Sequence, residues 1–463
     1  MTSVLQAKDV LAGLWQHGGL SPAALDFAQL TGVDPVLPSS FAVGMAAQTS
    51  IAAAALAACE VGVARGQARQ GVAVDMAPAA LECTGWFSLD GRVPEIWDTF
   101  SGLYQCADGR VRIHTNFAHH REGALRLMGL SAATAVRADA EKAMLTRHAL
   151  EFEQEAADAG LVVAALRTFD EWDRHLQGRA VATLPLMTFE RIGDAPALPL
   201  RSLTADERPL TGLRVLDLTR ILAGPVCGRT LAGYGADVML VNAPHLPNIE
   251  SIADTSRGKL SAHVNLQMPE GRAALGTLIA GAHVFVEGYH PGALHARGFG
   301  PQALALLKPG IVCVSLSAYG EQGPWSTRRG FDSLVQTAMG FNHAEGLASG
   351  QGGPRPLPMQ ILDYATGHLM AYAACAALVR QSREGGSWHV RLSLAQTGHW
   401  LRSMGRVDHG FDLKRPEHNA FVEASESGFG QLVAYRHSAK LARTPARLIR
   451  PSMPPGSHLP LWP

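Results

Sequence analysis

The chain has 463 residues, 47% apolar and 17% charged, and its 40 basic residues balance 40 acidic ones. This length predicts more than one domain, and the balanced charge excludes a protein drawn to nucleic acid or to a membrane surface by a strong overall field. Six cysteines lie far apart without a C-x-x-C pair, which argues against a disulfide framework and against a thiolate metal site.

Residues 1–85 are predicted to be mainly helical. The N-terminal sequence lacks the basic start and the apolar core of a signal peptide, so we expect a cytoplasmic protein. The stretch 41–64 is mostly alanine but is interrupted by polar residues, which predicts a buried helix and not a membrane span. The run "VAVDM" after it is typical of a short strand.

Residues 86–198 have a different pattern, which predicts a separate small α+β domain. The run "LYQCADGRVRIHTNF" indicates a hairpin that turns at Asp108 and Gly109, and charged helices follow it. The proline-containing stretch 199–212 is predicted to be a linker.

Residues 213–400 alternate short apolar strands with helices. This alternation predicts βαβ units and a parallel sheet, so the fold class is α/β. The remaining segment, 401–463, is expected to return to this large domain.

An acid at the start of an alanine-rich helix is the first candidate for chemistry. Asp363 lies in "ILDYATGHL", and an earlier stretch, "PSSFAVGM", has a similar layout with Ser40 in the place of the acid. Each stretch is followed by a helix and a strand, so we interpret residues 1–85 as containing a partial, degenerate repeat.

Other familiar signals are absent or weak. The sequence contains neither a P-loop nor a G-x-S-x-G elbow. His114, His119 and His120 invite a metal site, but no carboxylate stands at ligand spacing, so solvated histidines and no metal are expected.

The exits of several strands carry small residues. Ala223, Gly224 and Pro225 lead into a helix, Arg257 and Lys259 stand on a glycine-containing turn, and two further strands end in tyrosine-bearing loops. Because the carboxyl ends of parallel strands share one edge, these loops predict an extended ligand site. The two cations could bind phosphate there only if their turn lies at the same edge.

Ordered motifs across Leu213–Gln396 resemble those of class III CoA-transferases, the family that also includes α-methylacyl-CoA racemases. They are "LRVLDLTRILAGP", "GADVMLV", "RGKLSAHVNLQMPEGR", "AHVFVEGYHPGAL", "VSLSAYGEQGP", "RRGFDSLVQTAMG" and "ILDYATGHL". The resemblance implies a Rossmann-like parallel-sheet domain with a second, smaller α+β domain, and two interlocked chains.

The resemblance also implies roles for individual residues. Asp363 matches the nucleophile, which takes up CoA as an aspartyl-CoA thioester while CoA moves from an acyl-CoA donor to a carboxylic acid. The residues matching positions that bind coenzyme A, the co-substrate, are Leu222, Ala223, Arg257, Gly258, Lys259, Gly288, Tyr289, His290, Arg297, Ser317, Ala318 and Tyr319.

Two alternatives stay open. An acyl-CoA racemase or isomerase is disfavoured because the G-H-D triplet of that branch is Gly330-Phe331-Asp332 here. A CoA-binding pseudoenzyme is the other, since half of the chain has the degenerate pattern.

Residues 36–200 resemble the later part of a family member without its own sheet. We therefore expect the N-terminal part to pack on the large domain and the small domain to form one wall of the Asp363 cleft, within a pseudo-dimer of one chain or an interlocked homodimer.

Overall fold

The structure is a computed structural model that describes residues 5–413 and 416–463. Residues 1–4 and 414–415, which fall in the predicted segments 1–85 and 401–463, lie outside the described residues.

The N-terminal part is built on one long helix, as predicted. Its elements are α1 (Ala7–Gly18), a 3-10 turn (Pro22–Phe27), β1 (Ala28–Thr31), α2 (Val43–Ala64), β2 (Val72–Asp75), α3 (Met76–Glu82) and β3 (Phe87–Leu89). Among the described helices, α2 alone has the length and apolar composition to cross a membrane, yet 94% of its most apolar window is buried inside the protein. A helix that is apolar on all sides and enclosed in this way is a core helix.

The small domain has its own core. It contains β4 (Gly102–Gln105), β5 (Arg110–Ile113), α4 (Ala118–Leu127), α5 (Arg137–Met144), α6 (Ala149–Asp158) and β6 (Val163–Ala165), followed by α7 (Phe169–Arg174) and α8 (Leu176–Thr183). Strands β4 and β5 form the predicted antiparallel hairpin, and β6 pairs with β5. A separate cluster of buried apolar side chains, from Phe100 to Ala165, lies between these elements.

The large domain contains the predicted parallel sheet. Its elements are β7 (Met187–Gly193), β8 (Arg214–Leu218), α9 (Ala223–Gly233), β9 (Asp237–Asn242), α10 (Ile252–Thr255), β10 (Lys259–His263), α11 (Pro269–Gly281), β11 (Val284–Glu287), a 3-10 turn (His295–Arg297), α12 (Pro301–Leu307), β12 (Val312–Ser317), α13 (Asp332–Met339), α14 (Phe341–Ser349), α15 (Ile361–Glu384), β13 (Ser387–Ser393) and α16 (Leu394–Ser403).

The strand order is β10-β9-β8-β11-β12-β13-β7, with β7 antiparallel to β13 and all other neighbours parallel. Numbered along the chain from β8, the parallel part reads 3-2-1-4-5-6, the order of a doubly wound Rossmann sheet. Strands β9 and β11 are buried along most of their length, which explains why each contains a continuous apolar run without alternation.

The predicted boundary of the small domain, 86–198, needs correction. Strand β7 belongs to the edge of the large sheet and not to the small domain. Strand β3 pairs with residues 432–434, which belong to the C-terminal part of the chain. Each of these strands pairs with a strand that is distant in the sequence. The local sequence pattern therefore could not show to which sheet it belongs. The stretch predicted as a linker contains no helix or strand.

The C-terminal part closes the molecule. It contains a 3-10 turn (Asn419–Phe421), β14 (Val422–Ser427), β15 (Gly430–Tyr435) and β16 (Lys440–Leu441). Strand β16 pairs with β2, and the terminal Trp462 donates from its indole nitrogen to the Leu278 carbonyl oxygen on α11. The predicted return to the large domain is therefore present in the described residues.

Helices α2 and α15 pack against each other in the centre of the molecule. Ser40 precedes α2 by three residues, whereas Asp363 is the third residue of α15, so the two positions differ in backbone setting. The Ser40 hydroxyl donates to the carboxylate of Glu345 and accepts from Arg406. The hydroxyl group of Ser40 thus takes part in structural hydrogen bonds. The proposed duplication of the chain stays a prediction.

Candidate active site

The carboxyl edge of the sheet forms one cleft with a volume of about 360 Å³. Helix α9 starts there directly after β8, and the loops that follow β11 and β12 lie beside it. Of the residues predicted from sequence, those that line the cleft are Leu222, Ala223, Gly288, Tyr289, His290, Arg297, Ser317, Ala318 and Asp363. They come from separate segments and meet because the strands are parallel.

Asp363 lies at the inner wall of this cleft, in the first turn of α15 and only 7% exposed. Burial and the neighbouring carboxyl group of Asp332 raise the pKa of Asp363 well above its usual range, while a hydrogen bond from the backbone N–H of Ala223 opposes this rise. The position near a helix N-terminus also favours a negative charge. A poorly hydrated carboxylate that faces a ligand cleft is suited to nucleophilic attack.

Asp332 is the partner that sequence reasoning missed. It begins α13, is fully buried, and its Oδ2 accepts from the Asp363 backbone nitrogen at 2.8 Å. Its Oδ1 accepts from Nε2 of Gln336 at 2.5 Å. Burial raises the pKa of Asp332 to about 7, against the opposing effect of these hydrogen bonds. The sequence "RRGFDSL" offered one signal for this residue, because its aspartate follows a glycine and an aromatic residue and begins a helix.

A close contact between α9 and α15 keeps Ala223 next to Asp363. A Cβ atom at Gly367 would lie 2.5 Å from the carbonyl oxygen of Ala223 and 2.8 Å from the side chain of Val226. Only glycine therefore permits this approach, one turn after the candidate nucleophile.

The small domain forms the opposite wall, as predicted. Phe117, His119, His120 and Val162 line the same cleft as Asp363 within one chain. His120 is buried, and neither of its ring nitrogens has a hydrogen-bond partner among the described residues. Burial, together with the charges of His119 and nearby arginines, lowers the pKa of His120 to about 4, so its ring is neutral near pH 7.

His114 lies beneath the cleft and not in it. Its ring stacks on Phe331 with the centroids 4.1 Å apart, and burial lowers the pKa of His114 to about 3. In the part of the chain that the structure describes, no group of three or more His, Cys, Asp or Glu side chains is placed to hold a metal ion. The absence of a metal requirement stays an expectation.

The predicted phosphate contacts of Arg257, Gly258 and Lys259 are not made in this cleft. Their turn precedes β10 and so lies at the amino edge of the sheet, whereas the cleft follows the carboxyl ends of the strands. The side chain of Lys259 is 0% exposed, and its Nζ donates to Asp217 at 2.8 Å and to the Pro225 carbonyl oxygen at 2.7 Å. Lys259 is a buried structural cation beneath α9.

Arg257 is also engaged elsewhere. Its guanidinium contacts Asp254 at 2.5 Å and Glu423 at 3.3 Å. Tyr319, another predicted contact, is 1% exposed and packs on Trp325, with ring centroids 4.9 Å apart. It is not among the residues that line the cleft.

The positively charged residues that line the cleft are arginines, and most of them were not predicted from the sequence. Besides the predicted Arg297, these are Arg220, Arg328 and Arg329. Arg329 and Arg297 are exposed, whereas Arg220 stacks on the ring of Phe117 at 5.0 Å and Arg328 on Trp325 at 4.2 Å. The cleft therefore offers guanidinium groups for phosphates beside an apolar wall.

Comparisons with known proteins agree with this geometry. Residues 210–428 match the model of the family described as CoA-transferase family III. An acetyl-coenzyme A transferase of Hypoxylon pulicicidum is 36% identical over 211 residues, which cover 44% of this chain and 36% of that protein. A succinyl-CoA:glutarate CoA-transferase of Mus musculus is 36% identical over 192 residues, covering 38% of this chain and 43% of that protein.

A crystal structure of the Mycobacterium tuberculosis protein Rv3272 aligns with 33% identity and a TM-score of 0.39, covering 42% of this chain and 56% of that one. The chain matches about half, or less, of the length of the curated relatives. The matched residues contain the six parallel strands of the large sheet and the cleft wall around Asp363, whereas the wall formed by the small domain lies outside the match. Residues 210–428 are therefore similar to CoA-transferase family III.

Proposed function

We propose that the protein is a CoA-transferase that moves CoA from an acyl-CoA donor to a carboxylic acid through an aspartyl-CoA thioester on Asp363. The observation that carries the proposal is the carboxyl group of Asp363, 7% exposed at the wall of the cleft and placed beside the backbone N–H of Ala223.

The first half of the reaction loads the enzyme. A carboxylate oxygen of Asp363 attacks the thioester carbonyl carbon of the donor, the C–S bond breaks, and a mixed anhydride and CoA thiolate form. The thiolate then attacks the Asp363 carbonyl carbon of the anhydride. The donor leaves as a free carboxylate, and CoA remains on Asp363 as a thioester.

The second half repeats these steps with the acceptor. Its carboxylate attacks the aspartyl-CoA thioester and releases CoA thiolate, and the thiolate attacks the acceptor carbonyl of the new anhydride. The products are the acceptor's CoA ester and the free carboxylate of Asp363. The energy of the thioester is kept because no step uses water.

Protonation of the carboxyl pair sets the active form. Asp363 attacks only as an anion, and its charge is disfavoured by burial and by an ionised Asp332 beside it. A proton on Asp332 therefore leaves Asp363 free to ionise, so Asp332 acts as a positioning residue that also adjusts the charge of the nucleophile.

Coenzyme A would lie along the loops at the carboxyl edge. Small residues at Ala223 and Gly288 allow a ligand to approach the backbone, and a Cβ at Gly288 would meet nothing closer than 3.7 Å. Arg297 and Arg329 are exposed at the cleft and can pair with phosphates. The same proposal includes the acyl-CoA and carboxylate substrates, a cytoplasmic location, and either an interlocked homodimer or a pseudo-dimer within one chain.

A second candidate, an acyl-CoA racemase or isomerase, is favoured by one observation. His120 supplies a neutral ring with unpartnered nitrogens in the cleft, although the histidine of the G-H-D triplet is replaced by Phe331. A neutral histidine and an aspartate could exchange a proton with the carbon next to a thioester.

One experiment separates these activities. The protein is incubated with a panel of acyl-CoA donors and carboxylic acids in deuterated water, and the products are analysed by mass spectrometry. Transfer predicts a new acyl-CoA and, after hydroxylamine treatment, a hydroxamate in the peptide that contains Asp363. Asp363→Asn should abolish both signals, and Asp26→Asn, at an exposed aspartate, is the matched control. Deuterium incorporation without a new acyl-CoA would overturn the transferase proposal.

A further inference from the structure

A second cavity, of about 290 Å³, lies at the opposite end of α9 from the cleft. Helix α9 begins at Ala223, beside Asp363, and ends at Gly233, which lines the second cavity. Ten residue steps of α-helix separate the two ends by about 15 Å. The two cavities are therefore separate, one at each edge of the parallel sheet.

Arginines dominate this second cavity. Arg229 comes from α9, Arg257 from the turn before β10, Arg436 from the end of β15 and Arg447 from the C-terminal segment. The carboxylates that line the cavity are those of Glu82 and Glu423. Four guanidinium groups from separate elements thus converge on a space that two carboxylates face.

Most of the acidic groups nearby are already occupied. Glu82 accepts from the backbone nitrogen and the hydroxyl of Ser438, both at 2.8 Å, and contacts Nδ1 of His437 at 2.9 Å. Asp254, behind the wall, pairs with both Arg229 and Arg257. By contrast, Arg436 and Arg447 are exposed at the rim and have no carboxylate partner among residues 5–413 and 416–463.

One buried atom lacks an acceptor. Arg229 is 5% exposed, and within the described residues its Nη2 has no hydrogen-bond partner, with the nearest carboxylate oxygen, Oε1 of Glu82, 3.7 Å away. A buried donor left without an acceptor costs about 1–3 kcal/mol. An oxyanion in the cavity would provide the missing acceptor.

The arginines are not needed to neutralise the C-terminal end of α9. Cations often stand there because helix carbonyl groups lack partners. Arg208, which does not line the cavity, already donates to the carbonyl oxygens of Ala232 and Gly233, at 3.3 and 3.2 Å. The two exposed arginines at the rim, Arg436 and Arg447, are therefore not needed at the helix terminus and can face a ligand, although Arg436 also donates to the Ala420 carbonyl oxygen.

We propose that this cavity is a second ligand site, which binds a small phosphate compound, either inorganic phosphate or a phosphomonoester. Guanidinium groups that approach from several directions suit a tetrahedral anion better than a planar carboxylate, which a single arginine can bind in bidentate fashion. The cavity volume of about 290 Å³ is larger than a single phosphate group, so a phosphomonoester also fits. This site is independent of the transferase activity proposed for the cleft.

Calorimetric titration of the full chain with inorganic phosphate tests the proposal, and a second arm uses glycerol 1-phosphate to distinguish the two sources of phosphate. The double variant Arg436→Ala/Arg447→Ala removes the exposed arginines of the cavity without touching buried pairs. Arg126→Ala/Arg174→Ala removes two exposed arginines that line neither cavity and is the matched control.

We expect phosphate binding that is weakened about tenfold or more in Arg436→Ala/Arg447→Ala and changed less than about twofold in the control. The same affinity in both double variants, loss confined to Arg126→Ala/Arg174→Ala, or no binding to the wild-type protein would each overturn the proposal. The readout is binding, so failure of the transferase proposal leaves it intact.

Discussion

The backbone nitrogen of Asp363 lies 2.8 Å from Oδ2 of Asp332, which joins the start of α15 to the start of α13 and brings two buried carboxyl groups together. The charge of Asp332 raises the pKa of Asp363, because neighbouring like charges disfavour ionisation of both groups. The pair therefore titrates as a unit, and its state decides whether Asp363 can act as a nucleophile.

Asp332→Asn should shift the acid limb of the kcat/KM profile to lower pH. The Asp332 charge raises the pKa of Asp363, so its removal lowers that pKa and lets the nucleophile ionise earlier. We expect a shift of roughly one pH unit, since an adjacent like charge commonly has an effect of that size. The measurement is kcat/KM between pH 5 and 9, with Asp26→Asn as control. A shift toward higher pH would contradict the assigned interaction.

Asp363→Asn should stabilise the protein, and more so at pH 8 than at pH 5. A carboxyl group whose pKa is raised by folding binds its proton more tightly in the native state, so stability falls as pH rises from the unfolded pKa toward the folded one. Asparagine removes this loss. Thermal unfolding should show an increase of roughly 2 °C at pH 8. A decrease at both pH values would mean that Asp363 is a stabilising structural acid.

Lys259→Met should damage stability and not phosphate recognition. The substitution leaves Asp217 charged, fully buried and without its cation, which typically costs about 3–5 kcal/mol. Denaturant unfolding measures this loss. In folded variant protein, the ratio of KM values for an acyl-CoA and its dephospho-CoA analogue should equal that of the wild type.

Arg297→Ala is the matched comparison for Lys259→Met. Its side chain is exposed at the cleft, and its Nη1 donates to the Ala293 carbonyl oxygen at 3.0 Å. We expect KM for the acyl-CoA to rise about tenfold with unchanged unfolding. Normal stability together with weak phosphate recognition in Lys259→Met would instead support the coenzyme A contact that the motif predicted for Lys259.

Gly367→Ala should lower both stability and kcat. The added methyl group would lie 2.5 Å from the Ala223 carbonyl oxygen, so α9 must move away from α15 and the Ala223 N–H from Asp363. Overpacking of this kind costs about 1–3 kcal/mol. Gly276→Ala, where a Cβ would meet nothing within 4 Å, is the control on α11. A wild-type kcat in Gly367→Ala would show that catalysis does not depend on the contact between α9 and α15.

Several features followed from the sequence by itself. Short apolar runs alternating with helices determined the parallel sheet, because strands covered on both faces need continuous apolar side chains. The position of Asp363 before an alanine-rich helix, and the small residues at the exits of β8, β11 and β12, placed the cleft, because parallel strands bring those exits to one edge. Each of these inferences rests on neighbours in the chain or on a regular topology.

The tertiary structure alone decided which charged groups face a ligand and which are buried. Lys259 begins β10 and Arg329 lies in a loop of the same domain, yet the first pairs with Asp217 inside the protein and the second is exposed at the cleft. Other contacts also join segments that are distant in the sequence. Asp332 lies next to Asp363, His119 and His120 of the small domain line the cleft, and the arginines of the second cavity come from four elements. Burial and ion pairing arise from packing between such segments, so residue type and spacing along the chain do not specify them.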